Sequence, residues 1–103
     1  MTALFVTRHA GAVAWAARRG IAAEMVDHLD IGRVRPDDVV MGTLPLHLAA
    51  AVCARGARFL HLELDLPPDA RGRPLTADDM DRYGAALVEY RVERVDMESE
   101  GEE

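Results

Sequence analysis

Residues 38–56 read DVVMGTLPLHLAAAVCARG and contain the elements that decide the fold. The short apolar run at residues 38–42 predicts a buried strand. Pro45 and Gly56 bracket an Ala-rich segment that predicts a helix over residues 45–55, because proline suits a first turn and glycine suits the position just past a helix. A buried strand that runs directly into a helix is typical of a parallel α/β sheet.

The preceding residues repeat this order. They predict a strand at 3–7, a helix at 11–19 that ends at Gly20, and a strand at 22–26, while residues 58–64 predict the strand that closes the second unit. The two units share residue types at a spacing of 36 residues: Thr7 and Thr43, Ala14 and Ala50, Arg19 and Arg55, Gly20 and Gly56. Both units therefore turn from strand to helix in a similar way.

The last third of the chain predicts one more helix but does not decide where that helix ends. Thr76 and Asp79 resemble a capping box, and Met80, Tyr83 and Leu87 would share one face of the helix that follows. Beyond Leu87, apolar residues alternate with charged ones, so residues 88–95 fit either an edge strand or a continued helix. Together these elements predict a small Rossmann-like three-layer α/β sandwich with a mainly parallel sheet.

Length and charge indicate one domain and a separate tail. The chain has 103 residues, of which 50% are hydrophobic, and carries a net charge of −6. Five acids and no base lie in the last eight residues, so residues 1–95 carry a net charge of only −1. We expect residues 1–95 to form a single domain and residues 96–103 to be a disordered acidic tail. A body that is nearly neutral argues against binding to duplex nucleic acid, which depends on neutralising many phosphates.

Three classes of protein are excluded by what the sequence contains. No apolar run approaches the roughly 18 residues that span a bilayer, and the first residues do not resemble a signal peptide. Cys53 is the only cysteine, so an internal disulfide or a cysteine-based zinc site cannot form. We therefore expect a cytoplasmic protein with no membrane partner.

Two strand-to-helix turns carry the polar residues expected at the carboxyl edge of such a sheet, where ligands bind. Their candidate residues are Thr7, Arg8, His9 and Gly11 in the first turn, and Gly42, Thr43, Leu44, Pro45 and His47 in the second. Helix N-terminal amides, a guanidinium and hydroxyls suit an anion. Alternatively, the two threonines only cap helices and Arg8 and His9 are solvated.

Cofactors and metals have weaker support. Neither turn is a GxGxxG or a Walker loop, so we expect no dinucleotide or nucleoside triphosphate and predict no cofactor. His61 and Glu63 share one strand face at a spacing that some metal sites use, but a covered strand face explains such a pair more often. The sequence therefore predicts no metal site.

Three blocks, in this order, resemble the small CRISPR-associated accessory proteins of the Csx group found beside type III systems, over about residues 3–92. The first block comprises Phe5-Val6-Thr7-Arg8-His9, Gly11-Ala12 and Trp15-Ala16. The second comprises Gly42-Thr43-Leu44-Pro45 and His47-Leu48-Ala49, and the third His61-Leu62, Leu64-Asp65-Leu66-Pro67-Pro68 and Arg71-Gly72.

This resemblance implies a CARF-related fold, a homodimer and the handling of cyclic oligoadenylate messengers. The implied activity is that of a ring nuclease, which cleaves cyclic tetraadenylate and switches off antiviral signalling. The site residues are assigned from the two turns instead: Arg8 and the helix amides would hold phosphate, and Thr43 would position the ring. Either His9 or His47 would protonate the leaving oxygen.

Two alternatives stay open at this point. A module of the same fold could sequester the messenger without cleaving it, because binding and cleavage would use the same turns. An interaction protein could instead dock its acidic tail on a basic partner.

Overall fold

The apolar run that opens the second unit forms the centre of the sheet. In this computed structural model, which describes residues 1–96, β3 (Val39–Gly42) is buried at every position. It lies between β1 (Ala3–Val6) and β4 (Arg58–Glu63), and both are parallel to it. A strand enclosed by parallel neighbours and by helices on both faces has no side open to water, which explains its uninterrupted apolar sequence.

The described residues form a five-stranded sheet in the order β2-β1-β3-β4-β5. At one edge β2 (Glu24–Val26) is parallel to β1, and at the other β5 (Ala86–Tyr90) is antiparallel to β4. The predicted mainly parallel, Rossmann-like sandwich is confirmed. The ambiguous segment after Leu87 is a strand as far as Tyr90, because α3 has ended before it and the segment pairs with β4.

Helices cover both faces of the sheet. On one face α1 (Ala10–Arg18) and α3 (Ala77–Arg82) pack together. The core on this face includes Phe5, Trp15, Ala16, Met41 and Met80. On the other face lies α2 (Leu46–Ala54). The core on that face includes Val34, Val40, Ala49, Val52 and Phe59. Within residues 1–96, no helix is both long and apolar enough to cross a bilayer.

The predicted glycine endings are confirmed, and a further glycine corrects the prediction for the last helix. Gly20 and Gly56 follow α1 and α2 with φ of 69° and 86°. Gly84, with φ of 74°, does the same for α3, and the Ala85 amide donates to the Met80 carbonyl. The expectation that Leu87 shares a helix face with Met80 is therefore wrong, since Gly84 ends the helix and Leu87 lies in β5.

The capping box predicted at the start of α3 is present. The Thr76 hydroxyl accepts a hydrogen bond from the Asp79 amide at 3.1 Å, and the Asp79 carboxylate accepts one from the Thr76 amide at 3.0 Å. Further along α3, Asp81 accepts hydrogen bonds from the Trp15 indole at 3.1 Å and from Arg18 at 2.8 Å. These polar contacts fix α3 against α1.

A buried carboxylate fixes the amino edge of the sheet. Asp38 is 5% exposed and accepts hydrogen bonds from the backbone amides of Arg35 at 3.0 Å and Thr2 at 2.9 Å. These two hydrogen bonds, the one from Arg35 first, lower the pKa of Asp38 below its ordinary value. The charged form is thus the one that the fold stabilises.

The lowered pKa of Asp38 predicts a pH-dependent contribution to stability. A carboxyl whose pKa is lower in the folded chain stabilises the fold above its unfolded pKa of about 3.9, and this contribution disappears as pH falls through the folded pKa. We expect Asp38→Asn to lower the Tm by about 5 °C at pH 7. The difference from the native chain should shrink below about pH 4.

Thermal unfolding followed by circular dichroism between pH 2 and pH 8 measures this difference. Asp65→Asn is the matched control, because Asp65 is exposed. A difference in Tm that stays constant down to pH 2 would contradict the role given to the Asp38 carboxylate.

Candidate ligand site at the carboxyl edge of the sheet

The two predicted turns emerge side by side. From β1 the chain crosses to β2 on one side, and from β3 it crosses to β4 on the other. Val6 is paired with Gly42, so the two strands end level with each other. Neighbouring strands lie about 4.8 Å apart, and in doubly wound sheets the crevice between two such diverging turns is where ligands bind. The structure therefore brings together residues 7–9 and 42–45.

Gly42 has a structural reason to be glycine. Its φ is 128°, and a Cβ placed on it would lie 2.4 Å from the Val6 carbonyl oxygen. No side chain fits at that distance, so glycine is what lets β3 pair with β1 at this level. Gly42 itself is buried, and the turn that follows it continues to the surface.

The first turn exposes a cation and an imidazole. Thr7 is half-buried, with its amide donating to the Val26 carbonyl at 2.9 Å and its hydroxyl accepting from the His9 amide at 3.1 Å. Arg8 and His9 are exposed, and Arg8 forms no ion pair with any residue from 1 to 96. An exposed guanidinium without a carboxylate partner is available to an anion.

The second turn leads into α2. Thr43, Pro45 and His47 are exposed, whereas Leu44 is half-buried and packs against the core beneath α2. His47 lies in the first turn of α2, which puts it on the opposite side of the sheet from α1.

The threonines do not cap the two helices, although Arg8 and His9 are exposed, as the alternative reading also expects. The N-cap residues are His9 for α1 and Pro45 for α2, and neither helix has a side-chain cap. Neither helix has an acidic residue in its first turn. Both N-termini thus keep the positive end of their dipole uncompensated by a neighbouring carboxylate, which favours an anion at this edge.

Gly11 differs from the other candidates in its surroundings. It is buried, and a Cβ on it would lie 1.9 Å from the Leu75 carbonyl oxygen. This close approach of α1 to the segment before α3 is sufficient reason for a glycine. In the structure the Cα of Gly11 therefore faces the segment before α3, while its place in the first turn of α1 puts its backbone amide at the N-terminus of that helix.

A cluster on β4 and β5 was missed by the sequence analysis. The Tyr90 hydroxyl donates a hydrogen bond to the Glu63 carboxylate. The rings of His61 and Tyr90 meet edge to face, with centroids 5.9 Å apart and planes at 75°. His61 is paired with Gly42 on the next strand, so the cluster begins beside the crevice. The alternation of Val88, Tyr90 and Val92 was the signal that pointed to this strand face.

The hydrogen bond to the Glu63 carboxylate, followed by partial burial, raises the pKa of Tyr90 above its ordinary value. The phenol therefore stays protonated and keeps donating at neutral pH. Glu63, which the sequence offered as a metal ligand with His61, is occupied by this bond, and residues 1–96 hold no group of three or more His, Cys, Asp or Glu that could bind a metal ion.

The fold and the edge site define a small doubly wound α/β protein with an anion-favouring crevice. Residues 4–93 match the family model Cas_VVA1548, described as "Putative CRISPR-associated protein (Cas_VVA1548)". This match covers most of the chain, so the protein belongs to that CRISPR-associated family. No curated protein and no solved structure matches the chain.

Proposed function

We propose that this protein is a ring nuclease of the Csx type, with a CARF-related fold, that acts in the cytoplasm on cyclic oligoadenylate, cyclic tetraadenylate above all. Membership of a CRISPR-associated family supports this proposal. The observation that carries it is the exposed Arg8 without an ion-pair partner in residues 1–96, beside two helix N-termini that have no acid in their first turns. Such an edge suits the phosphodiesters of a small cyclic RNA.

The proposed chemistry uses the substrate's own ribose. The 2′-hydroxyl gives its proton to solvent as its oxygen attacks the adjacent phosphorus, the bond from phosphorus to the 5′-oxygen breaks, and the 5′-oxygen takes up a proton. The products are a 2′,3′-cyclic phosphate and a 5′-hydroxyl, so the chain must align the three atoms and supply one proton. Arg8 and the helix amides would stabilise the charge that develops on the phosphoryl oxygens.

The proton donor is His9 or His47 in this scheme, because each is exposed beside one of the two turns. Thr43 would orient the ring, and Thr7, Gly42, Leu44 and Pro45 would form the walls of the site. A homodimer is part of the proposal, since a four-fold cyclic ligand can lie on a two-fold axis and meet two equivalent sites.

The test is a single-turnover reaction with labelled cyclic tetraadenylate. Purified protein in excess is incubated with the messenger in EDTA, and the products are separated by chromatography. We expect a linear product that ends in a 2′,3′-cyclic phosphate. His9→Ala and His47→Ala, assayed in parallel, should show which imidazole the reaction needs, with a rate loss of about 100-fold or more for the proton donor.

Two outcomes would contradict the proposal. Intact messenger that co-migrates with the protein would mean that the chain sequesters it without cleaving it. Messenger that is neither bound nor cleaved, at this ring size or any other, would reject cyclic oligoadenylate as the ligand. The alternative in which the acidic tail docks on a basic partner concerns residues 97–103, which lie outside the described residues.

A further inference from the structure

An open groove runs between α2 and the end of β5. Its volume is about 1400 Å³, and its walls are α2 and residues 89–94. Small-molecule pockets usually measure about 300–1000 Å³, so this groove is large enough for more than one nucleotide unit. Leu46 and His47 line one end, which joins the groove to the second turn of the candidate site.

Tyr90 provides an aromatic surface in this groove. Tyr90 lines the groove and is 44% exposed, and its ring lies against the His61 ring while its hydroxyl donates to Glu63. The strand end that carries it is tied to α2, because the Cys53 thiol is 3.9 Å from the Tyr90 carbonyl oxygen and accepts from the Val92 amide at 3.4 Å. The ring is thus held in place before any ligand arrives, which reduces the entropy lost on binding.

The charges of the groove suit a phosphate beside that ring. The Arg58 guanidinium donates two hydrogen bonds to the Glu89 carboxylate, at 2.8 and 3.1 Å, so it is not available to a phosphate. Arg91 and Arg94 also line the groove and form no ion pair with any residue from 1 to 96. Glu93 contributes the one opposing charge among these three, so the free charge of this wall is positive.

We propose that this groove is a base-binding subsite, in which Tyr90 stacks on an adenine and Arg91 or Arg94 contacts the neighbouring phosphate. Single-stranded nucleic acids are held in this way, by aromatic stacking combined with basic side chains along the backbone. The choice of adenine rests on the proposed function. The site would hold part of the oligoadenylate while the phosphate to be cleaved lies at the carboxyl edge, on the other side of His47.

Tyr90→Ala and Tyr90→Phe form the decisive pair. The alanine variant removes the ring, whereas the phenylalanine variant keeps the ring and removes only the hydrogen bond to Glu63. Stacking contributes about 1–3 kcal/mol per base, so Tyr90→Ala should weaken the binding of cyclic and linear tetraadenylate by about 10-fold or more. Tyr90→Phe should bind as the native chain does.

The probes separate stacking from charge. A tetranucleotide backbone without bases should bind equally to the native chain and to Tyr90→Ala, while Arg91→Ala should weaken it more than Arg82→Ala does. Arg82 is a suitable control because it is exposed on α3, on the opposite face of the sheet. In the native chain, nuclear Overhauser contacts should join the adenine protons to the Tyr90 ring, a readout that needs no variant.

Three results would overturn the subsite: equal adenylate binding by Tyr90→Ala, an equal loss in Tyr90→Phe, or the absence of contacts between adenine and Tyr90. Failure of the proposed function looks different. Tyr90-dependent binding of adenylate without any cleavage would reject the nuclease and leave the subsite standing. Cleavage of the messenger together with unchanged binding in Tyr90→Ala would reject the subsite and leave the nuclease standing.

Discussion

Arg8→Ala is expected to slow the cleavage of cyclic tetraadenylate by at least about 100-fold and to weaken its binding. Removing one donor that stabilises developing negative charge typically lowers kcat by that factor or more. Arg8 is exposed and forms no ion pair within residues 1–96, so its removal should leave the fold intact. Single-turnover rates and the thermal midpoint, measured on the same preparation, separate the two effects.

Arg8→Lys and Arg82→Ala are the controls for this result. Lysine keeps the charge but cannot contact phosphate on two atoms, so Arg8→Lys should recover part of the binding and less of the rate. Arg82→Ala removes an exposed arginine from another face and should change neither. If Arg8→Ala binds and cleaves the ring as well as the native chain does, the site has been placed on the wrong edge of the sheet.

Gly42→Ala is expected to destabilise the fold strongly. The new methyl group would lie 2.4 Å from the Val6 carbonyl oxygen, and φ of 128° is a conformation that alanine rarely adopts. Overpacking and backbone strain cost about 1–3 kcal/mol each, so we expect the free energy of unfolding to fall by roughly 3–5 kcal/mol. Urea unfolding followed by tryptophan fluorescence measures this loss.

Gly20→Ala is the matched control for backbone strain alone. Gly20 also has a positive φ, 69°, but no atom lies within 4 Å of the position of its Cβ. Its substitution should cost only about 1–2 kcal/mol. Equal losses in the two variants would mean that the close approach of β1 and β3 contributes nothing beyond the unusual φ.

Much of the architecture could be predicted because it follows from neighbouring residues. Some features determine only the structure of residues a few positions away: the buried run at residues 39–42, the proline before α2, and the glycines after α1 and α2. The end of α3 is also determined by a nearby residue, Gly84. It was not predicted because apolar residues on both sides of Gly84 keep a helical spacing. A periodic pattern shows which faces are apolar and does not show where the backbone turns.

The candidate site was only half predictable. That residues 7–9 and 42–45 meet follows from the rule that ligand crevices form where the direction of chain crossing changes. The Tyr90–Glu63 contact joins residues 27 positions apart, through an antiparallel pairing whose existence the sequence left open. Burial of Gly11 against Leu75 was hidden for the same reason, since nothing near Gly11 in sequence marks the approach of a distant segment.

The register between β1 and β3 gives the chain an internal symmetry. Every paired residue in these strands is 36 positions from its partner, as in Ala3 with Val39, and α1 and α2 begin 36 positions apart, at Ala10 and Leu46. Half a turn about an axis parallel to the strands exchanges the two units and the two faces of the sheet. The two turns thus take equivalent places in the two units but differ in chemistry, since the first carries the exposed Arg8 and His9 and the second carries Leu44 and Pro45, so the two sides of the crevice are not equivalent.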